Sequence, residues 1–177
     1  MRTSICEARV VGLRDGTAVR IRPIERTDLE LERRFVEGLS ARTAYLRLLS
    51  GRTPTAAELE RWTDVDPSRE IALIATALVA GADQEIGVAR CLVDEEQPGR
   101  WDFAIVVADA WQDKGLGKQL LRCLIDRADQ AGVPALSSIV LAENHRMVAL
   151  AQALGFRVRR EPGGAGVLRI ERLLSGR

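Results

Sequence analysis

Gln112, Lys114, Gly115, Gly117 and Lys118 fall within one short run, QDKGLGK. These types at this spacing suit an anion. Glycine has no Cβ, so a phosphate can approach the backbone closely. Lys114 and Lys118 are the chain's only lysines, against twenty-four arginines, and a charge-assisted phosphate contact is their natural use. The preceding run, Trp101–Val107, is apolar and β-branched at Phe103, Ile105, Val106 and Val107, which predicts a buried strand that breaks at Asp109-Ala110. After the loop, Leu116, Leu120, Leu121, Leu124, Ile125 and Ala128 share one helical face, and Gly132 and Pro134 stop that helix. A strand, a glycine turn and a helix N-terminus leave unpaired N–H groups pointing outward, ready for phosphate. Two competing phosphate motifs fail on spacing. A P-loop needs glycine where Gln112 stands and Ser or Thr where Gln119 stands, and the dinucleotide motif needs a third glycine at Leu120.

Composition narrows the rest. A chain of 177 residues with 46% hydrophobic and 29% charged residues is long enough to bury a core without staples and is expected to form a single domain, 1–177. Net charge +1 gives no electrostatic case for nucleic acid or an anionic membrane. Cys6, Cys91 and Cys123 are odd in number and widely spaced, which argues for a reducing compartment and against a metal site. The longest apolar run, Ile71 to Ala82, is too short to span a bilayer, and the N-terminus lacks a signal-peptide core. The expectation is a cytoplasmic protein.

The elements that must position the loop read as follows. Ala8–Leu13 and Thr17–Ile24 flank Arg14-Asp15-Gly16, a hairpin signal. Residues 28 to 38, closed by Gly38, and Ser40 to Leu49 are expected helices. Thr55 with Glu58 has capping-box spacing for a third helix to about Trp62. Glu70–Ala80 and Glu85–Asp94 are expected strands joined at Gly81-Ala82-Asp83-Gln84. Beyond the loop, Ala135–Leu141 is a strand and Asn144–Leu154 a helix closed by Gly155. Phe156–Arg160 and Val167–Glu171 form a last pair. Helices, then a strand meander, then β-α-β-α-β predict an α/β or α+β sandwich on a mixed sheet.

Gln112-x-x-Gly115-x-Gly117 in this setting resembles the Q/R-x-x-G-x-G/A loop that holds the pyrophosphate of acetyl-coenzyme A in the GCN5-related N-acetyltransferases (GNAT). AENHRMVALAQALGF is similar to that family's second cofactor motif, an Asn opening a helix that ends in Gly-Phe. LRDGTAVRIRPI and FVEGLSARTAYLRLLS resemble the acetyltransferase domain of bacterial protein-lysine acetyltransferases, which is often fused to a regulatory domain for which 177 residues leave no room. The resemblance, from roughly Thr17 to Leu174, implies the GNAT fold: a mixed, mostly antiparallel sheet flanked by helices.

It also implies roles. Acetyl-coenzyme A is the co-substrate, with no metal. Backbone groups of Ile105, Val106 and Val107 pair with the pantetheine arm and polarise the thioester carbonyl. Gln112, Asp113, Lys114, Gly115, Leu116, Gly117 and Lys118 bind pyrophosphate. Asn144 touches the pantetheine arm or orders a water, or is a plain N-cap. The related lysine acetyltransferases carry a glutamate ten residues before the loop's Gln. That count lands on Asp102, a general base one methylene short that acts through water, or else a solvated strand-end aspartate. Glu70, Glu85 and Glu143 are fallback bases. The family's frequent acid, a tyrosine in the last helix, is Ala151 here, so that role is vacant. His145 reads as surface and Cys91 as a small buried hydrophobe. Trp62, Trp101 and Trp111 read as packing, with Trp111 placed to flank the cofactor. The implied acceptor is a protein lysine or a small amine, with homodimerisation possible. A non-catalytic acyl-coenzyme A sensor is the reading from another class.

Overall fold

The computed structural model describes residues 8–48, 52–97, 99–164 and 166–175. Cys6 and Leu49, which entered the sequence reading, lie outside them. Strands β1 (Arg9–Gly12) and β2 (Ala18–Pro23) form the expected hairpin, turning at Gly16 with φ +83°. Three helices follow, α1 (Leu29–Glu37), α2 (Ala41–Leu48) and α3 (Ala56–Thr63). The capping box at α3 is present: Thr55 accepts from the Glu58 N–H, and Glu58 accepts from the Thr55 N–H. Thr55→Ala is expected to cost about 1 kcal/mol, read as a lowered urea midpoint.

Strands β3 (Glu70–Val79) and β4 (Ala82–Val93) are joined more tightly than the sequence suggests. The turn is Ala80-Gly81, both with positive φ, the geometry that matches strand twist in a two-residue hairpin. Ala80 carries no turn signal, so residues 82–84 read as loop although they are strand. Next come β5 (Arg100–Val107), α4 (Leu116–Gln130), β6 (Ala135–Leu141), α5 (His145–Ala153), β7 (Arg157–Arg160) and β8 (Val167–Leu173).

The eight strands form one sheet in the order β1-β2-β3-β4-β5-β6-β8-β7. Every neighbouring pair is antiparallel except β5–β6. That exception follows from connectivity, because β5 reaches β6 through a full crossover helix, as parallel neighbours require. Side-chain alternation splits the sheet between two cores. Leu116, Leu120, Leu121 and Leu124 of α4 and Ala151 of α5 pack on one face with Ile86, Phe103, Leu136 and Ile170. Phe35 of α1 packs on the other with Ile74, Val88 and Val106. The sheet and α4 approach closely where β4 bulges beside Gly87: a Cβ there would meet Leu120 Cδ1 at 2.9 Å and the Val106 carbonyl at 3.1 Å. Only glycine leaves that space. Among the described residues no helix is long and apolar enough to cross a membrane.

Candidate functional site

The parallel pairing of β5 with β6 is short. It covers Arg100–Ala135, Trp101–Leu136 and Asp102–Ser137, and then the strands part. On its other edge β5 stays paired to β4 as far as Val107. Asp94 N–H bonds the Arg100 carbonyl at 2.9 Å and Ala108 N–H bonds the Ile86 carbonyl at 2.9 Å. In an antiparallel ladder this parity sends the backbone groups of Asp102, Ala104 and Val106 toward β4. Ile105 and Val107 therefore turn theirs into the gap beside β6. The Val107 carbonyl accepts from Gln112 Nε2 at 3.1 Å, so the Ile105 N–H and C=O are left facing an open cleft.

The wide end of the cleft is closed by the glycine loop. Gly115 caps α4 with φ +91°, a left-handed conformation that glycine adopts freely. The carbonyl of Gly115 accepts from the Gln119 N–H at 3.3 Å, so the N–H groups just before Gln119 are the free donors of the first turn. Leu116 offers its backbone alone, since its side chain is buried in the core. A Cβ on Gly117 would lie 3.5 Å from Leu150 and 3.9 Å from Val107, so a side chain there would fill the cradle floor. Pyrophosphate fits this site: open N–H groups, a helix dipole and no Cβ on either glycine.

Neighbouring elements lock the loop through contacts that no local pattern announces. Gln112 Nε2 also reaches Thr43 Oγ1 of α2 at 3.3 Å. The carboxylate of Asp109 accepts from Ser40 N–H, Ser40 Oγ and Thr43 Oγ1, tying the start of α2 to the end of β5. Arg146 of α5 bonds Gln112 Oε1 at 2.8 Å and pairs with Asp113 at 2.9 Å. Asp113 itself has φ +61°, tolerable for aspartate. Asn144 caps α5, its Oδ1 accepting from Met147 N–H at 3.2 Å. Lys114 pairs with Asp15 at 3.1 Å and lies 4.8 Å from the centre of the half-buried Trp111 ring.

Asp102 stands at the closed end of the cleft. It lies five positions from Val107, about 17 Å along an extended strand. Phe103, its neighbour, stacks near Phe156 (centroids 5.1 Å apart) in the α4–α5 core. Alternation therefore sends the Asp102 side chain to the opposite face, the one that carries α1. That side chain is 50% exposed. Partial burial pushes its pKa above the ordinary aspartate value, against the pull of Arg100, whose Nε lies 3.8 Å away. Asp94 adds to the rise and Arg169 opposes it. Both guanidiniums are engaged elsewhere: Arg100 pairs with Asp94, and Arg169 with Glu161 at 2.7 Å, while Arg169 also donates to Ser137 Oγ. Glu161 lines an open cavity of ≈ 590 Å³ with Ala142, Arg160, Gly164 and Val167.

The other carboxylates considered from sequence are placed differently. Glu70 is buried and accepts from Arg61 at 2.8 Å and Arg90 at 3.1 Å. Glu85 is buried against Glu32, its pKa pushed up to about 10 by burial first and then by the Glu32 charge. Neither can meet an amine arriving from solvent. Glu143 is exposed beside Arg42. Ala151 is fully buried, and His145 is exposed. Burial pushes the Cys91 thiol up to about 12. Among the described residues there is no cluster of three or more His, Cys, Asp or Glu able to hold a metal.

Comparison with known proteins converges on the same architecture. The sequence profile of the acetyltransferase (GNAT) domain matches residues 18–157. An acetyltransferase of Pseudomonas aeruginosa is 35% identical over 154 residues, covering 86% of this chain and 82% of that protein. The acetyltransferase Pat of Mycolicibacterium smegmatis is 30% identical over 145 residues, 82% of this chain, and the chain spans 43% of its length. The crystal structure of the GNAT domain of S. lividans PAT superposes with a TM-score of 0.85 at 27% identity, covering 94% of this chain and 97% of that one.

Proposed function

The chain belongs to the GNAT acetyltransferase family, and from that premise we propose that it moves an acetyl group from acetyl-coenzyme A to a protein lysine by direct attack. The observation that carries this reading is the parting of β5 from β6 immediately after the Asp102–Ser137 pair, with the glycine loop at the far end. A cleft edged by unpaired strand backbone takes an extended amide-bearing arm as it would take another strand. The roughly 17 Å between Val107 and Asp102 asks for such an arm, with phosphate at one end and the reacting group toward the other.

Acetyl-coenzyme A supplies the activated acyl group as a thioester. The chain supplies position, charge and a base. Gly115, Leu116, Gly117 and Lys118 hold the pyrophosphate through backbone N–H groups and one cation. Gln112 and Asp113 shape the loop, Asn144 caps α5, and Arg146 holds α5 against the loop. The Ile105 N–H is the donor best placed to polarise the thioester carbonyl. Asp102 takes a proton from the acceptor amine through a water, because its side chain is short. Thiol pKa values near ~8.5 let the leaving thiolate depart without an acid in place of Ala151. A protein acceptor suits the half-exposed Asp102 side chain, which a lysine arm can approach from solvent.

Gly117→Asp is expected to weaken coenzyme A binding by at least about tenfold through charge repulsion. Its fold should be retained, because φ there is not left-handed and an acid suits a helix N-terminus. Calorimetry reads the affinity, and unchanged affinity would remove the cradle. For the acceptor, purified protein with acetyl-coenzyme A is added to a lysate and new acetyl-lysine is mapped. Thiol release with small amines but none with protein would move the acceptor to a metabolite. Binding without thiol release toward any amine would leave a sensor.

A further inference from the structure

The β1–β2 turn is docked on the cofactor loop. Arg14 N–H donates to the Lys114 carbonyl at 3.1 Å, and the Asp15 carboxylate pairs with Lys114 Nζ at 3.1 Å. These contacts join residues a hundred positions apart and fix where the Arg14 side chain goes. A Cβ built on Gly115 would meet Arg14 Cγ and Nε, each at 3.7 Å. The stem of Arg14 thus lies over the glycine that opens α4.

Charge at this spot is unbalanced. Lys114 is compensated by Asp15, whose pKa is held down to about 2 by the Thr17 backbone N–H and hydroxyl and then by Lys114 itself. Asp15 therefore stays ionised throughout the working range. Arg14 is exposed and has no carboxylate partner among the described residues. An uncompensated guanidinium stands beside the open N–H groups of a helix N-terminus. Its planar fork suits phosphate oxygens better than an ammonium does.

We infer that Arg14 binds a phosphate group of coenzyme A, so that the N-terminal hairpin is part of the cofactor site. Lys114 then serves chiefly as the tether that holds the hairpin in place. The inference rests on the cradle reading above, and the experiment separates the two. Calorimetry would measure coenzyme A and 3′-dephospho-coenzyme A against the wild-type chain, Arg14→Ala, Arg14→Lys, Gly117→Asp and, as a control on the same hairpin, Arg20→Ala. Arg14→Ala is expected to weaken coenzyme A binding about tenfold, the size of one charge-assisted contact. Arg14→Lys should recover part of the loss, Arg20→Ala none should be seen, and the unliganded melting midpoint of Arg14→Ala should equal that of the wild type. A loss that persists with 3′-dephospho-coenzyme A assigns the contact to the pyrophosphate, and one that disappears assigns it to the 3′-phosphate. Wild-type affinity in Arg14→Ala while Gly117→Asp fails to bind would overturn the role of Arg14 and leave the cradle intact. Wild-type affinity in both would overturn the cradle as well.

Discussion

Glu85→Gln is expected to flatten the fall of stability with rising pH, and the reason lies beneath α1. Glu32 is fully buried and Glu85 is 3% exposed. Among the described residues none of their four carboxyl oxygens has a hydrogen-bond partner. The buried cations nearby are already shared. Arg90 serves Glu70 at 3.1 Å and lies 3.8 Å from Glu32, and Arg22 grips Asp28 through two bonds of 2.7 and 2.6 Å. Two adjacent ionised carboxylates in that setting repel and pay desolvation together. A proton on Glu85, whose pKa is pushed up to about 10 against a reference of 4.5, gives the pair the donor it otherwise lacks. The folded chain then binds a proton that the unfolded chain has released. The sign follows: the contribution is whole below the unfolded pKa, near 4.5, and is lost steadily as pH rises toward about 10. The slope is about 1.4 kcal/mol per pH unit. Glutamine mimics the protonated acid and removes that slope. Urea midpoints of wild type and Glu85→Gln, compared from pH 6 to 8, should diverge in favour of the variant as pH rises. That range stays below the titration of the Cys91 and Cys123 thiols, both raised by burial. Parallel profiles would show that Glu85 carries no such proton.

That pair also shows where reading the sequence stops. The helix α1 buries Glu32 and Phe35, and the preceding turn buries Asp28. The face so formed, i, i+4 and i+7, holds two acids and one aromatic, and no hydrophobic periodicity can select it. The mates of those acids, Arg22, Glu85 and Arg90, come from β2 and β4. Burial of a charge is decided by distant partners, and a single sequence does not show them. The same limit hid Arg14, whose position depends on Lys114, and Asp109, which anchors α2 from sixty-nine residues away.

Local chemistry, by contrast, was written plainly. Six apolar positions drew the buried face of α4, and all six are buried. The spacing of Gln112, Gly115 and Gly117 drew a loop that does open a helix N-terminus, with the left-handed residue at the first glycine. Asp15-Gly16 drew its hairpin, and Thr55 with Glu58 drew its capping box. Each of these is fixed by residues a few positions apart, where steric and hydrogen-bonding rules act directly. The cleft itself was legible only through family resemblance. Nothing in Trp101–Val107 says that β6 leaves β5 after Asp102, because strand divergence is set by tertiary packing between elements distant in sequence.

Asp102→Asn is expected to leave coenzyme A affinity unchanged and to lower kcat by about 10²–10⁴ at neutral pH. A lysine amine, with a pKa near ~10.4, is almost wholly protonated at pH 7 and cannot attack until a proton leaves. Asp102 is the carboxylate that combines partial burial, a raised pKa and access from the face opposite α4. Its half-exposed side chain lets water reach it, which a base one methylene short requires. The raised pKa sets the acid limb of the profile: activity falls as pH drops through that pKa, because the protonated acid accepts nothing. Asparagine keeps the shape and removes the basicity, so the variant should lose that limb together with its rate. The deficit should narrow as pH climbs and the amine deprotonates unaided. Affinity should hold, because Asp102 sits about 17 Å along the strand from the end at which the phosphates bind. Steady-state rates from pH 4 to 10, with coenzyme A affinity measured on the same preparations, decide the matter. Near-normal kcat at pH 7 would take Asp102 out of the mechanism. A rate loss that stays constant across the pH range would make it a structural residue of the cleft rather than its base.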